Sequence, residues 1–214
     1  MCFVIAILNL VGLILDGGCL MSFVNLVSGG LDSTLVGVMA KESQIDHFPL
    51  FIDYGQRAAA REWATCQVVH HQLGLPIPTK MDLSGFGRVI TSGLTSESMD
   101  VKKDAFTPGR NLMFLLMASS YAYQVGANSV AIGLLAEQFS LFPDQQQSFV
   151  VQAEQTISAA MGRPIKILTP LMDFGKADVV LLAIEKNING TYSCHTGKAQ
   201  PCGACIACLE FKFN

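Results

Sequence analysis

Charge is scarce in this chain. Of its 214 residues only 14% are Asp, Glu, Lys or Arg, and 17 acids against 14 bases leave a formal net charge of -3. That balance removes any global electrostatic case for a nucleic-acid or anionic-membrane partner, each of which calls for a basic excess. A Walker A loop is missing as well, because no Gly-Lys-Ser or Gly-Lys-Thr occurs anywhere. The apolar stretch that begins at Cys2 is cut short by Asp16, too soon to span a bilayer. No basic residue precedes it, as a signal peptide requires. Residues 1–21 therefore read as an apolar leader from a mis-assigned start, since Met21-Ser22-Phe23 opens a domain cleanly at its first strand. The rival reading is an N-terminal helix packed on the domain or lying at a membrane surface. Internal repeats and low-complexity tracts are absent too.

What is present is apolar mass and a regular alternation. Half the residues are hydrophobic, enough to bury a large core in one domain, and the length is short for two. Apolar runs at 23–27, 47–53, 77–83, 128–134 and 165–168 predict strands. Helical spacing over 33–43, 56–73, 111–125, 147–161 and 176–187 predicts the helices between them. The alternation predicts an α/β fold, a single doubly wound five-stranded parallel sheet. Residues 84–107 break the pattern and predict a long mobile loop of the lid or binding kind.

The first strand ends in Val27-Ser28-Gly29-Gly30-Leu31-Asp32-Ser33-Thr34. A strand, a glycine turn and a helix N-terminus together present a row of free backbone N–H groups to an anion. Ser28, Ser33 and Thr34 add hydroxyl donors, and Asp32 is a candidate helix cap. The string SGGLDS resembles the pyrophosphate loop of the ATP pyrophosphatase superfamily, whose members split ATP between its α and β phosphates. The second strand ends in Asp53-Tyr54-Gly55-Gln56-Arg57, a polar edge expected beside that loop, with Arg57 a candidate phosphate contact. Thr107-Pro108-Gly109-Arg110-Asn111 opens the next long helix, and Arg110 offers a planar, permanently charged fork for phosphate. Lys176 is a further candidate cation for the leaving pyrophosphate; its plain alternative is a solvated lysine at a helix start. Glu137, Phe142 and Asp144 follow the fourth strand, where a carboxylate would accept the paired N–H donors of a guanine-like base. An ordinary Phe-Pro-Asp turn is the competing account.

Seven cysteines are distributed unevenly. Cys194, Cys202, Cys205 and Cys208 crowd the C-terminus, and two-residue gaps let successive thiolates reach one ion. Four sulfurs suit structural Zn²⁺, although an iron–sulfur cluster also takes four cysteines. Such a set belongs in a reducing compartment, the cytoplasm, and not in a disulfide framework.

SGGLDS (28–33), DYGQR (53–57), FTPGRN (106–111) and TYSC…PCGACIAC (191–208), in that order, resemble the 7-cyano-7-deazaguanine synthase family from about Phe23 to Cys208. The resemblance implies an ATP-binding domain over 22–190, closed by a zinc-binding tail over 191–214. It implies ATP and Mg²⁺ at Val27 to Thr34, Asp53, Tyr54, Gln56, Gly109 and Arg110, with Asp32, Ser33, Arg110 and Lys176 in catalytic roles. It also implies 7-carboxy-7-deazaguanine and ammonia as substrates, a nitrile as product, and a homodimer without a stable nucleic-acid partner. The chain departs from the family pattern in three places. Phe142-Pro143-Asp144-Gln145-Gln146 stands where Tyr-Pro-Asp-Cys-Arg is common. Asp178 replaces a usual glutamate, and Leu209-Glu210 a usual basic residue. An alternative with the same adenylating core joins the activated carboxylate to another amine, such as a protein N-terminus. A third reading is a non-catalytic nucleotide-binding module.

Overall fold

Strand β1 (Phe23–Val27) is buried along its whole length, as expected of a strand covered on both faces. The computed structural model describes residues 22–210, so the apolar leader at 1–21 lies outside the described residues, as do residues 211–214. From β1 the chain runs through α1 (Leu31–Glu42), β2 (His47–Asp53), α2 (Ala59–Leu73), β3 (Thr79–Asp82) and a short α3 (Gly85–Val89). It continues through α4 (Arg110–Val125), β4 (Ser129–Ala131), α5 (Gln147–Met161), β5 (Lys166–Leu168), α6 (Lys176–Glu185) and α7 (Ile206–Glu210). All strand pairs are parallel and the order is β3-β2-β1-β4-β5.

Period-two alternation along β1 divides the core into two layers. Phe23 packs with Leu35, Met39, Val179 and Leu182 beneath α1 and α6. Val24 and Leu26 face the other way, onto Leu115, Ala118 and Ile157 of α4 and α5. The chain winds toward β3 on one side of β1 and toward β5 on the other, so the strand order reverses between β1 and β4. The loops leaving their carboxyl ends diverge there, and that crevice is where doubly wound sheets take their ligands.

Two expectations need correction. Asp32 does not cap α1: the cap position is Gly30, with no side-chain bond, and Asp32 lies inside the first turn. Its carboxylate is held by a lysine across the crevice, as described below. Residues 84–107 are less irregular than expected, since they begin with α3, and as a binding loop they bring Leu94 and Ala105 to the cavity described below. Beyond α3, the Ser92 and Thr107 hydroxyls meet at 2.7 Å, and Gly93 N–H donates to the Asp104 carbonyl at 2.7 Å. The Leu94 carbonyl receives Arg57 N–H at 2.8 Å, and Leu94 and Ala105 are buried. Serine and threonine side chains supply this network, which hydrophobic periodicity does not register.

Candidate active site

The loop after β1 makes its turn at Gly29, where φ is +75°. A Cβ at Gly29 would stand 2.7 Å from the Glu62 carbonyl and 2.8 Å from the Cys66 nitrogen. Both are backbone atoms of α2 and have little freedom to retreat. Gly29→Ala is therefore expected to destabilise the protein by about 3 kcal/mol, combining positive-φ strain with overpacking. Denaturant unfolding measures it, and an unchanged midpoint would contradict this account of the turn.

Around that turn the hydroxyls predicted for the loop close on one another. Ser33 Oγ accepts from Ser28 N–H at 3.2 Å, Ser28 Oγ accepts from Gly30 N–H at 3.2 Å, and Thr34 Oγ1 donates to the Gly30 carbonyl at 2.8 Å. Asn25, buried in β1, donates from Nδ2 to the Ser33 carbonyl at 3.2 Å and ties the strand to the first turn of α1.

A cavity of about 320 Å³ opens onto this loop, within the usual range for small-molecule sites. Of the residues expected in the site, Val27, Ser28, Gly30, Leu31, Asp32, Ser33, Tyr54, Gln56, Arg110, Phe142 and Lys176 line it. Lys176 Nζ lies 2.8 Å from both Asp32 oxygens and 3.5 Å from Glu210 Oε2. At 11% side-chain exposure it is no solvated helix-start lysine. Arg110 reaches the Tyr54 hydroxyl at 3.4 Å, and its guanidinium lies over the Tyr54 and Phe114 rings at 5.8 Å from each. Arg110 Nε is buried without a hydrogen-bond partner, on a permanently charged side chain that lines the cavity. The site thus holds two cations, a helix N-terminus and three carboxylates around one space, an arrangement suited to a polyphosphate with a divalent ion.

Other expected residues are placed around the cavity and not in its lining. Gly29 and Thr34 shape the loop from behind. Asp53 is occupied by Lys80, 2.8 Å away, and by Gly55 N–H at 3.2 Å. Gly109, with φ of +75°, is the N-cap of α4. Glu137 accepts the Gln147 N–H at the start of α5, and the Asp144 carbonyl accepts from Asn111 Nδ2 at 3.0 Å. Burial raises the Asp144 carboxyl, with Arg110 opposing the shift. Arg57 turns away to the Gly93 carbonyl at 3.2 Å.

The departures from the family pattern have structural explanations here. Gln145 lines the cavity and its Oε1 accepts from Leu141 N–H at 2.9 Å and Phe142 N–H at 3.0 Å, folding the turn by itself. Asp178 still reaches Gly175 N–H at 2.9 Å, so the shorter acid suffices at the start of α6. Glu210 is drawn to Lys176.

Sequence reasoning missed Glu62, Tyr192, Ser193 and His195, all of which line the cavity. Glu62 carries an ordinary charged-helix signature on the first turn of α2. Burial pushes its carboxyl up to about 7, against the opposing pull of its hydrogen bond from Gln56 and of Arg110. His195 is pushed down to about 4, by burial first and Arg110 second. Tyr192, Ser193 and His195 belong to the cysteine tail, whose only legible signal was metal ligation. Tyr192 N–H donates to the Gly29 carbonyl at 2.9 Å, strapping the tail to the phosphate loop.

The four tail cysteines converge as expected, with all four Sγ atoms within 4.8 Å of one another. Cys202 N–H points at Cys194 Sγ and Cys205 N–H at Cys202 Sγ, both at 3.3 Å. Amide donors aimed at sulfur favour thiolate, and Cys194 is lowered to about 6: burial alone would raise it, but the Thr196 hydroxyl and the Cys202 amide prevail. The donor set fits a single metal ion.

Comparison with known proteins agrees with this geometry. The family model described as queuosine biosynthesis protein QueC matches residues 22–212. A 7-cyano-7-deazaguanine synthase of Campylobacter concisus is 33% identical over 195 residues, covering 86% of this chain and 88% of that protein. Another, from Prochlorococcus marinus subsp. pastoris, is 34% identical over 208 residues, covering 87% and 90%. Among solved structures, NMN synthetase of Francisella tularensis superposes with a TM-score of 0.57 at 12% identity over 94% of this chain and 78% of that one. The U34-tRNA thiolase NcsA of Methanococcus maripaludis, solved with its [4Fe-4S] cluster, superposes at 0.50 and 15% identity over 90% and 66%. These two establish the sheet and its winding and nothing finer. No helix among the described residues is long and apolar enough to cross a membrane. The family match from residue 22 onward and relatives a third identical along most of the chain lead to one conclusion: the chain belongs to the QueC family of queuosine biosynthesis proteins.

Proposed function

We propose that this protein converts 7-carboxy-7-deazaguanine and ammonia to 7-cyano-7-deazaguanine at the expense of ATP, as a cytoplasmic homodimer. The observation that carries the reading is the single cavity that joins the loop of Ser28–Ser33 to Lys176 and Arg110, in a chain whose relatives bear the synthase name. In the first half-reaction a substrate carboxylate oxygen bonds to the α phosphorus of ATP and pyrophosphate leaves. Ammonia then attacks the acyl carbon, AMP departs and a proton is lost, leaving the primary amide. In the second half-reaction the amide oxygen bonds to the α phosphorus of a second ATP and a second pyrophosphate leaves. AMP leaves with that oxygen, and the two N–H protons are lost as the nitrile forms.

The residues divide this work by charge. The Gly30 amide and the hydroxyls of Ser28 and Ser33 exchange their internal hydrogen bonds for phosphate oxygens. Lys176 and Arg110 stand where the leaving pyrophosphate gathers negative charge. Asp32 is the hard oxygen ligand suited to Mg²⁺, which supplies Lewis-acid neutralisation of the phosphates when bound. In the resting site Lys176 shields that carboxylate. Val27, Tyr54, Gln56 and Phe142 line the space for the two ring systems.

For the tail we propose structural Zn²⁺. Four thiolates about 2.3 Å from one ion stand about 3.8 Å apart. The mutual limit of 4.8 Å among the four sulfurs agrees with that spacing, whereas an eight-atom iron–sulfur cube holds its thiolates farther apart. No open coordination position is required, so the ion would not take part in the reaction.

Incubating the purified protein with 7-carboxy-7-deazaguanine, ATP, Mg²⁺ and ammonium should yield the nitrile, AMP and pyrophosphate by mass spectrometry. Parallel arms with glycine or a peptide amine should give no adduct. An adduct there, with no nitrile from ammonium, would overturn the reading in favour of an amine ligase.

A further inference from the structure

A guanine-type heterocycle presents two adjacent N–H donors, the ring N1–H and the 2-amino group, and a site that selects it has to offer acceptors. Three carboxylates line the cavity: Asp32, Glu62 and Glu210. Asp32 and Glu210 both face Lys176 Nζ, at 2.8 Å and 3.5 Å. Glu62 makes no ion pair among the described residues. Its Oε2 accepts one hydrogen bond, from Gln56 Nε2 at 2.9 Å. Gln56 is fixed in turn, because its Oε1 accepts Tyr54 N–H at 2.9 Å, which orients its amide group toward Glu62. This leaves Oε1 and a second lone pair on Oε2 for a ligand. The nearby walls are flat and apolar: Tyr54 and Phe114 meet edge to face at 5.2 Å, and both line the cavity with Tyr192.

We propose that Glu62, oriented by Gln56, is the acceptor that recognises the N1–H and 2-amino donors of the deazaguanine ring, and so determines which carboxylated heterocycle is adenylated. The proposal rests on the function proposed above and gives the ring-recognition role to a cavity-lining carboxylate, where the sequence had pointed to Glu137 and Asp144. Burial keeps the Glu62 carboxyl partly protonated near neutrality, and two N–H donors arriving at its oxygens favour the anion. The groups that act on it are Arg110 and Gln56, which favour the anion, and Asp53, which opposes it. Its charge is felt in turn by Tyr54, Cys66 and Tyr192, all of which burial holds protonated in the neutral range. Since the ionised form binds, affinity should be flat above about pH 7 and fall up to tenfold per unit below it.

The test is equilibrium binding by calorimetry on the full-length, metal-loaded protein, with 7-carboxy-7-deazaguanine and with its analogue lacking the 2-amino group. Wild type should prefer the substrate over the analogue by roughly 10- to 50-fold, the range of one charge-assisted hydrogen bond. The near-isosteric Glu62→Gln should weaken substrate binding by a similar factor and erase the preference to within about threefold. It should also abolish the pH dependence and leave the Kd for ATP unchanged. Retained discrimination in Glu62→Gln would overturn the proposal. Equal weakening of ATP and substrate would reassign Glu62 to the loop's architecture. An unchanged Kd with a lost kcat would make it a proton acceptor instead. Wild type failing to bind the acid at all would sink the proposed function together with this inference. Wild-type conversion with an indifferent Glu62→Gln would sink this inference alone.

Discussion

Lys176→Met is expected to reduce kcat/KM for ATP about 10³-fold, or about 4 kcal/mol, the scale of losing one pre-positioned charged donor in a phosphate or oxyanion site. Three observations set the size. Lys176 Nζ bridges Asp32 and Glu210, its side chain is 11% exposed, and it belongs to the cavity that the phosphate loop opens onto. Methionine retains the stem's packing and removes the charge, leaving Asp32 and Glu210 to repel both each other and the nucleotide. The loss should fall mainly on kcat, read as pyrophosphate release. The unfolding midpoint should move little, because a pair with Asp32 at 27% exposure contributes modestly to stability. Lys176→Arg should recover part of the rate. A Lys176→Met protein releasing pyrophosphate within a few-fold of wild type would place the leaving-group charge elsewhere, with Arg110 the first candidate.

Cys205→Ser should release the tail metal and, with it, nucleotide binding. Cys205 is fully buried and packs with Ala58, Tyr192, Cys194 and Ala207. A hydroxyl there removes one of the four thiolates proposed to hold the ion, and ion binding is a large part of what folds such a loop. The consequence travels because the tail is a wall of the active cavity: Tyr192 N–H holds the Gly29 carbonyl and Glu210 holds Lys176. We expect bound metal to fall from one equivalent to none by elemental analysis. The Kd for ATP should rise at least about 30-fold, as those anchors and the cavity wall are lost together. Chelation of the wild type should reproduce both effects, and added Zn²⁺ should reverse them. ATP binding unaltered by metal loss would show that the tail stabilises the fold without shaping the site.

Much of the fold was legible because it follows from local rules. The buried run of β1, the Gly-Gly turn and the amphipathic repeats announce parallel strands and covering helices, whereas the strand order, with its switch point between β1 and β4, belongs to the tertiary structure. Residues 84–107 were not legible, since hydroxyl bonds such as Ser92 to Thr107 depend on partners that hydrophobic period does not encode. Boundaries shifted for similar reasons: α2 begins at Ala59 because the Arg57 N–H is taken by the Leu94 carbonyl and the Gln56 side chain by Tyr54 N–H, both outside the helix.

The same division runs through the site. Residues contiguous in the chain, from Ser28 to Ser33 and from Cys194 to Cys208, could be assigned from the sequence because their chemistry depends on spacing along one short backbone path. The sequence by itself therefore determined the class of sheet, the Gly-Gly turn after its first strand, the four cysteines that converge and the family. Only the tertiary structure decided that Lys176 reaches Asp32 across 144 positions, that Glu62 faces the cavity, and that Tyr192 straps the metal tail to Gly29. Those pairings depend on which elements the winding of the sheet brings to one edge. A side chain's burial, and with it the charge it carries, is a property of all the elements that enclose it.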